Sequence, residues 1–154
     1  MDERSASGGL SSTPFRISTP DAQWSVLEAR WGLVPDMSGI HSLAQLVGID
    51  TAKRLAMTAE TLSGSEAHEL GLVTGLADDP LAAAADLVER LRVRSPDQLA
   101  ATKRLFDDTW TASARRTFAR ERVEQARLLV ARNTKVARAA ATRRATADFG
   151  PRGR

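Results

Sequence analysis

Two carboxylates eight positions apart, Glu28 and Asp36, are the residues of this chain whose types and spacing best suit chemistry. Glu28 follows the strand-like run Gln23-Trp-Ser-Val, and Asp36 stands at the mouth of a helical stretch. A carboxylate takes and returns a proton near neutral pH when its surroundings raise its pKa toward neutrality. Trp24, Val26 and Trp31 predict such an apolar setting for Glu28. Taken alone, the pair also has a plainer reading, with Glu28 a surface carboxylate beside Arg30 and Asp36 a cap for helix N–H groups. His41 and His68 lack suitably spaced ligand neighbours and read as helix-surface or half-buried residues, and nothing reads as a metal site. There is no cysteine, which excludes disulfides, thiolate metal sites and a cysteine nucleophile.

The elements that must position these groups follow from periodicity and punctuation. Residues 1 to 14 are rich in Ser and Gly and read as a mobile arm. Phe15-Arg-Ile and Gln23-Trp-Ser-Val alternate apolar and polar residues about the turn signal Thr19-Pro-Asp, which predicts two short strands. Ile40, Leu43, Leu46 and Val47 recur at helical spacing, and Gly48 supplies a left-handed stop. Asp50 is expected to cap a second helix carrying Ala52, Leu55 and Ala56. Ser63 and Glu66 form a capping box for a third helix ending at Gly71, and Leu72 to Leu76 reads as a short strand or extended link.

Beyond residue 78 the pattern is helical throughout. Asp79-Pro80 opens a helix with Leu81, Ala84, Leu87, Val88 and Leu91 on one face. Ser95-Pro96 opens the next, with Leu99, Thr102, Leu105, Phe106 and Trp110 as its stripe. A longer helix from about Ser113 to Arg132 carries Phe118, Val123, Ala126 and Val130, with Arg120 and Glu124 paired at i,i+4. A last stretch runs toward Ala147, after which 148–154 is expected to fray. The fold class is therefore α/β, mostly helical with a few short N-terminal strands. Two or three strands need partners and a covered face, so exposed sheet edges are predicted unless another chain covers them.

Of 154 residues, 42% are hydrophobic, ordinary for a globular chain. No apolar run approaches the roughly 18 residues needed to span a bilayer, and Met1-Asp-Glu-Arg-Ser-Ala-Ser has no hydrophobic signal region, so a cytoplasmic location is the expectation. The formal charge of +3 hides a division: residues 1 to 100 hold 8 basic and 14 acidic side chains, and residues 101 to 154 hold 14 basic and 5 acidic. A −6 body thus carries a +9 segment, suited to nucleic acid, to an anionic ligand or to water.

Four sub-patterns in order resemble the crotonase family, the enoyl-CoA hydratases and isomerases. They are Phe15 to Val26, Glu28 to Gly39, Leu62-Ser-Gly-Ser-Glu-Ala-His-Glu-Leu-Gly-Leu-Val73, and Ser95-Pro-Asp-Gln-Leu-Ala-Ala-Thr-Lys103. Together they span about 90 residues at family-like spacing. The resemblance implies a crotonase-like ββα spiral, here truncated to the later part of a domain of roughly 250 residues. By it, 15–78 is the active-site half and 79–154 the C-terminal helical region. It places Glu28 at the family's catalytic glutamate, with Leu27 where proline is usual. It places Asp36 where dienoyl-CoA isomerases carry an aspartate and hydratases a small residue. It likens Arg143-Arg144 to the basic pair near the adenine and phosphates of coenzyme A, with Ala140 where an aromatic is common. The implied substrate is a fatty acyl-CoA thioester, coenzyme A entering as part of it with no separate cofactor, and the assembly implied for a complete domain is a homo-oligomer, a trimer or hexamer.

The departures from the family pattern set a further expectation. The first oxyanion donor has no counterpart in the chain. Gly8-Gly9-Leu10 resembles the glycine-rich turn of the second donor, but the other hydratase glutamate falls on Gly8. The chain is therefore expected to be inactive as a hydratase, with dienoyl-CoA isomerisation the chemistry that the Glu and Asp pair suggests. Two other readings stay open: a non-catalytic crotonase-like remnant or oligomerisation module, and a basic helical nucleic-acid-binding protein using residues 103 to 154. No helix-turn-helix signature or aromatic interleaving supports base recognition, so nucleic acid is not the expected partner.

Overall fold

The structure is a computed structural model and describes residues 13–36 and 39–153. In chain order the elements are β1 (Ile17–Ser18), β2 (Gln23–Ser25), a 3-10 helix (Leu27–Trp31), α1 (Gly39–Val47), α2 (Ile49–Thr58), β3 (Thr61–Ser63), α3 (Gly64–Glu69), β4 (Gly75–Leu76), α4 (Pro80–Arg92), α5 (Pro96–Thr109), α6 (Ala114–Val130) and α7 (Arg132–Arg143). Contacts divide the chain into two units, the boundary falling within α4 between Ala84 and Ala85.

In the first unit the two predicted strands are present, each shorter than its pattern, and they do not pair with each other. β1 runs parallel to β4, with Ile17 opposite Gly75. β2 runs antiparallel to β3, with Trp24 opposite Leu62. β3 is a strand that the sequence pattern did not mark, and within Leu72 to Leu76 only Gly75 and Leu76 are strand. Two two-stranded sheets leave an edge on every strand among the described residues, as the composition of short strands predicted.

Val26, Leu43, Leu55, Leu62, Leu72 and Val73 form the core of this unit with Ala52 and Ala67. Full burial of each Leu or Val stabilises by roughly 1.5–3 kcal/mol. Trp24 packs against the cluster, and its indole N–H donates to the hydroxyl of buried Ser18 at 3.1 Å. α1 ends before Gly48, whose φ is +80°, as its left-handed signal predicted. The cap expected at Asp50 is displaced: α2 begins at Ile49 with Gly48 at its N-cap, which leaves Asp50 inside the first turn without a capping bond. The capping box of α3 forms as read, with the Ser63 hydroxyl accepting from the Glu66 N–H at 3.2 Å and the Glu66 carboxylate accepting from the Ser63 N–H at 2.7 Å.

α4 opens on Asp79, whose Oδ1 accepts from the N–H groups of Leu81 and Ala82, both at 3.0 Å. In the second unit Ser95 and Ser113 cap α5 and α6. Ala131 is extended and separates α6 from α7. The expected apolar stripes are mostly on the surface: Phe106, Trp110, Val123 and Val130 are exposed, and Phe118 is 62% exposed. Helical spacing reports that a face is apolar; what covers it has to come from outside these helices. The predicted Arg120–Glu124 pair is also replaced. Arg120 bonds Asp108 at 2.5 Å, while Glu124, 1% exposed, accepts from Arg104 at 2.8 Å and Arg127 at 3.1 Å. Cross-helix bonds to a buried carboxylate outweigh a solvated i,i+4 pair.

The C-terminal expectation needs two corrections. α7 stops at Arg143 rather than near Ala147, with Arg144 left-handed at φ 52° as its C-cap. The described part of the segment after it, to Gly153, is held by hydrogen bonds rather than frayed. Gly150 N–H donates to Oδ1 of Asn133 at 3.0 Å, and Gly153 N–H donates to Oδ1 of Asp97 at 2.8 Å.

Candidate active site

Glu28 lies in the 3-10 helix that continues directly from β2. β2 is fixed by its ladder to β3 and by the Ser25 hydroxyl, which donates to the Glu60 carbonyl at 2.9 Å. Val26, extended and buried, turns the chain into the helix. Gly32 closes it at φ 69°, a left-handed conformation that glycine adopts without a Cβ penalty. Its N–H donates to the Ala29 carbonyl at 3.2 Å, and the Leu33 N–H donates to the Glu28 carbonyl at 3.0 Å. The Glu28 backbone is therefore held on both sides, its side chain is half-buried, and Oε2 is withdrawn from solvent. Arg30 directs its guanidinium to the Ala59 carbonyl and the Thr61 hydroxyl, both at 3.5 Å.

The apolar setting expected around Glu28 is one-sided. Val26 is buried and Trp24 is half-buried, but Trp31 is 76% exposed. Leu33 and Val34 are exposed as well, while Pro35 is buried and anchors the loop. Asp36 follows on the surface, and its carbonyl accepts from the Gly39 N–H at 2.8 Å at the start of α1. Glu28 and Asp36 thus sit at the two ends of one short loop in the first unit. Arg143 and Arg144 belong to the second unit, exposed at the end of α7. The Gly8-Gly9-Leu10 turn lies outside the described residues.

The histidines match their plain reading in position. His41 is exposed, its ring Nε2 2.8 Å from the Gln45 amide nitrogen. His68 donates Nδ1–H to the Val73 carbonyl at 2.9 Å, tying α3 to the segment beyond it. Among the described residues no group of three or more His, Asp or Glu is placed to hold a metal ion, and no helix is long and apolar enough to cross a membrane.

Of the fourteen basic groups of the C-terminal third, four form ion pairs among the described residues: Arg104 and Arg127 with Glu124, Arg120 with Asp108, and Lys103 with Asp107. An open groove of about 630 Å³ between α5 and α6, floored by Ala101, Leu105 and Leu128, contains none of the residues singled out for chemistry. Sequence reasoning missed the close backbone approach at Gly64, packed against Thr19 in the first unit, and the Asn133–Asp97 bond in the second. The serine beside Gly64 signalled a cap, but close backbone approach leaves no periodic trace.

Comparison with known proteins gives this geometry a context. Over 81 residues, 51% of the chain, it is 36% identical to a mitochondrial methylglutaconyl-CoA hydratase 1 of Pyricularia oryzae, an alignment covering 23% of that protein. Over 65 residues, 42% of the chain, it is 37% identical to a peroxisomal Delta(3,5)-Delta(2,4)-dienoyl-CoA isomerase of Arabidopsis thaliana, again 23% of the relative's length. The fold superposes on the crystal structure of an enoyl-CoA hydratase from Mycobacterium tuberculosis H37Rv with a TM-score of 0.84 and 27% identity, covering 90% of this chain and 56% of that one. The chain therefore spans little more than half of the solved structure it matches. Residues 9–145 match the sequence profile described as Enoyl-CoA hydratase/isomerase, and the chain belongs to that family.

Proposed function

We propose that this chain carries the proton-transfer part of a site for fatty acyl-CoA thioesters. Glu28 moves a proton at one carbon of the acyl chain, and Asp36 serves a second carbon of a conjugated one. The observation that carries this reading is the loop itself. The backbone carrying its first carboxylate is closed by a 3-10 turn, one oxygen of that carboxylate is out of solvent, and its second carboxylate sits on the surface beyond an apolar stretch. Similarity to a dienoyl-CoA isomerase supports the two-carbon chemistry, and similarity to a hydratase supports the substrate class. Arg143 and Arg144 supply positive charge for the phosphates of coenzyme A.

Hydration asks for more than these groups offer. In the family pattern it uses a second glutamate, which falls on Gly8, and an oxyanion donor with no counterpart here. Loss of one such donor costs on the order of 100-fold or more in rate. The isolated chain is expected to add no water to crotonyl-CoA above background. Robust hydration abolished by Glu28→Gln would overturn this. The isomerase reading is tested by joining the chain to the portion of a family domain that its 56% coverage leaves unmatched and introducing Asp36→Asn. Asn caps a helix about as well as Asp, so stability should hold while dienoyl isomerisation falls. Undiminished isomerisation would reduce Asp36 to a structural residue.

A further inference from the structure

After α7 the chain reverses and is fastened at both ends. At one end the Arg144 N–H donates to the Ala141 carbonyl at 3.2 Å and the Ala145 N–H to the Ala140 carbonyl at 3.0 Å. This is a two-bond closure around a left-handed C-cap. At the other end the side chain of Asn133, 2% exposed, grips the tail by its backbone. Oδ1 accepts from Gly150 N–H at 3.0 Å, and Nδ2 donates to the carbonyls of Gly150 and Pro151 at 3.2 and 3.4 Å. Nδ2 also donates to Oδ2 of Asp97 at 3.0 Å, and Oδ1 of Asp97 accepts from Gly153 N–H at 2.8 Å.

The lengths matter. From Asn133 to Arg144 the helix rises about 16 Å at 1.5 Å per residue. From Arg144 back to Gly150 the tail reaches at most about 20 Å when fully extended. Little slack is left once the chain has crossed the width of the helix, so a tail held at Gly150 restrains the turn at Arg144. Buried amide groups bonded on both edges are costly to release, because each would be left unsatisfied or exposed to water.

We infer that Asn133, backed by Asp97, is a positioning residue: it holds the tail as a taut strap that fixes the Arg143–Arg144 turn for an anionic ligand. This rests on the proposed role of that pair toward the phosphates of coenzyme A. The strap reads only backbone atoms, which explains why no motif in 148–153 announced it.

The test uses the full chain and two variants that leave the helices intact. Gly150→Pro deletes the N–H that Asn133 accepts, and a two-glycine insertion after Ala147 keeps every bond but adds slack. Amide hydrogen exchange is followed at Arg144 and Ala145, with α5 and α6 as internal references, and coenzyme A affinity is measured by calorimetry. Both variants should speed exchange at Arg144 and Ala145 at least tenfold, leave the references unchanged, and weaken coenzyme A binding several-fold. Unchanged exchange at the turn in both variants would overturn the strap. Accelerated exchange, with coenzyme A affinity unaffected by Arg143→Ala plus Arg144→Ala, would instead overturn the role of the pair and with it the positioning claim, while the mechanical tether itself stood.

Discussion

Glu124 shows how a single side chain organises the second unit. Its carboxylate is buried on α6 and reaches Arg104 of α5 and Arg127 one turn along its own helix. The hydrogen bond from Arg104 holds the Glu124 carboxyl below the usual carboxylate range, aided by the charges of Arg104, Arg127 and Arg120 and opposed by burial. The same bond raises the pKa of the Arg104 guanidinium. Glu124→Gln keeps the shape but loses the charge, and hydrogen bonds to charged groups contribute about 1.5–3 kcal/mol. With Arg104 half exposed, a loss near the lower end, about 1.5 kcal/mol, is expected in urea titrations at pH 7. A carboxyl whose folded pKa is depressed stabilises fully above its unfolded value, about 4.3, and this contribution disappears as pH falls through the lower folded value. The gap between wild type and Glu124→Gln should therefore begin to narrow as pH falls below about 4.3 and close below the depressed folded value. A gap that persists unchanged at acidic pH would assign the effect to packing alone.

At the scale of elements, α3 is the clearest case of local chemistry fixing geometry. Ser63 and Glu66 close its capping box, and their mutual bonds hold the Glu66 carboxyl below its ordinary range, the backbone N–H of Ser63 contributing most. Gly64 then lets the helix start press against the turn after β1: a Cβ there would lie 1.9 Å from the Thr19 carbonyl oxygen, and Ser65 N–H donates to the Pro20 carbonyl at 3.0 Å. Because the obstacle is backbone, Gly64→Ala is expected to destabilise by about 1–3 kcal/mol, as overpacking does. Ser63→Ala should cost about 1 kcal/mol, as loss of a cap does. Equal midpoints for Gly64→Ala and wild type in chemical denaturation would show that the turn yields freely. These elements also show what a sequence discloses. Caps at Ser63, Asp79 and Ser95, and the stop at Gly48, were legible because their causes are local. The pairing of β1 with β4 was not, since two-residue strands carry too little alternation to define partners, and register depends on residues 58 positions apart. The same limit applied to Glu124, whose partner Arg104 lies on another helix, and to Asn133, whose partners lie on other elements.

At the scale of the whole molecule, the apolar residues left on the surface set the behaviour of the chain in solution. The first unit exposes Trp31, Val34 and Met57, and the second exposes Phe106, Phe118 and Val130. Single exposed apolar residues are ordinary in folded proteins. In the second unit Phe106, Phe118 and Val130 lie on helices, and in the first unit each described strand keeps an open edge. In the matched solved structure 44% of the length lies outside the aligned region. A chain of 16.6 kDa with such faces is expected to self-associate at micromolar concentration. Phe118→Ser combined with Val130→Ser removes apolar area from exposed positions, where substitutions usually change stability by no more than about 0.5 kcal/mol each. Sedimentation velocity across a concentration series should show the wild type moving to larger species while the double variant shifts toward monomer at unchanged melting temperature. If the wild type sediments as a monomer throughout, these faces are tolerated in water and the proposed self-assembly fails. If the variant instead loses its melting transition, Phe118 and Val130 belong to the packing of α6, and the surface assigned to partners has to be sought among Phe106 and Trp110.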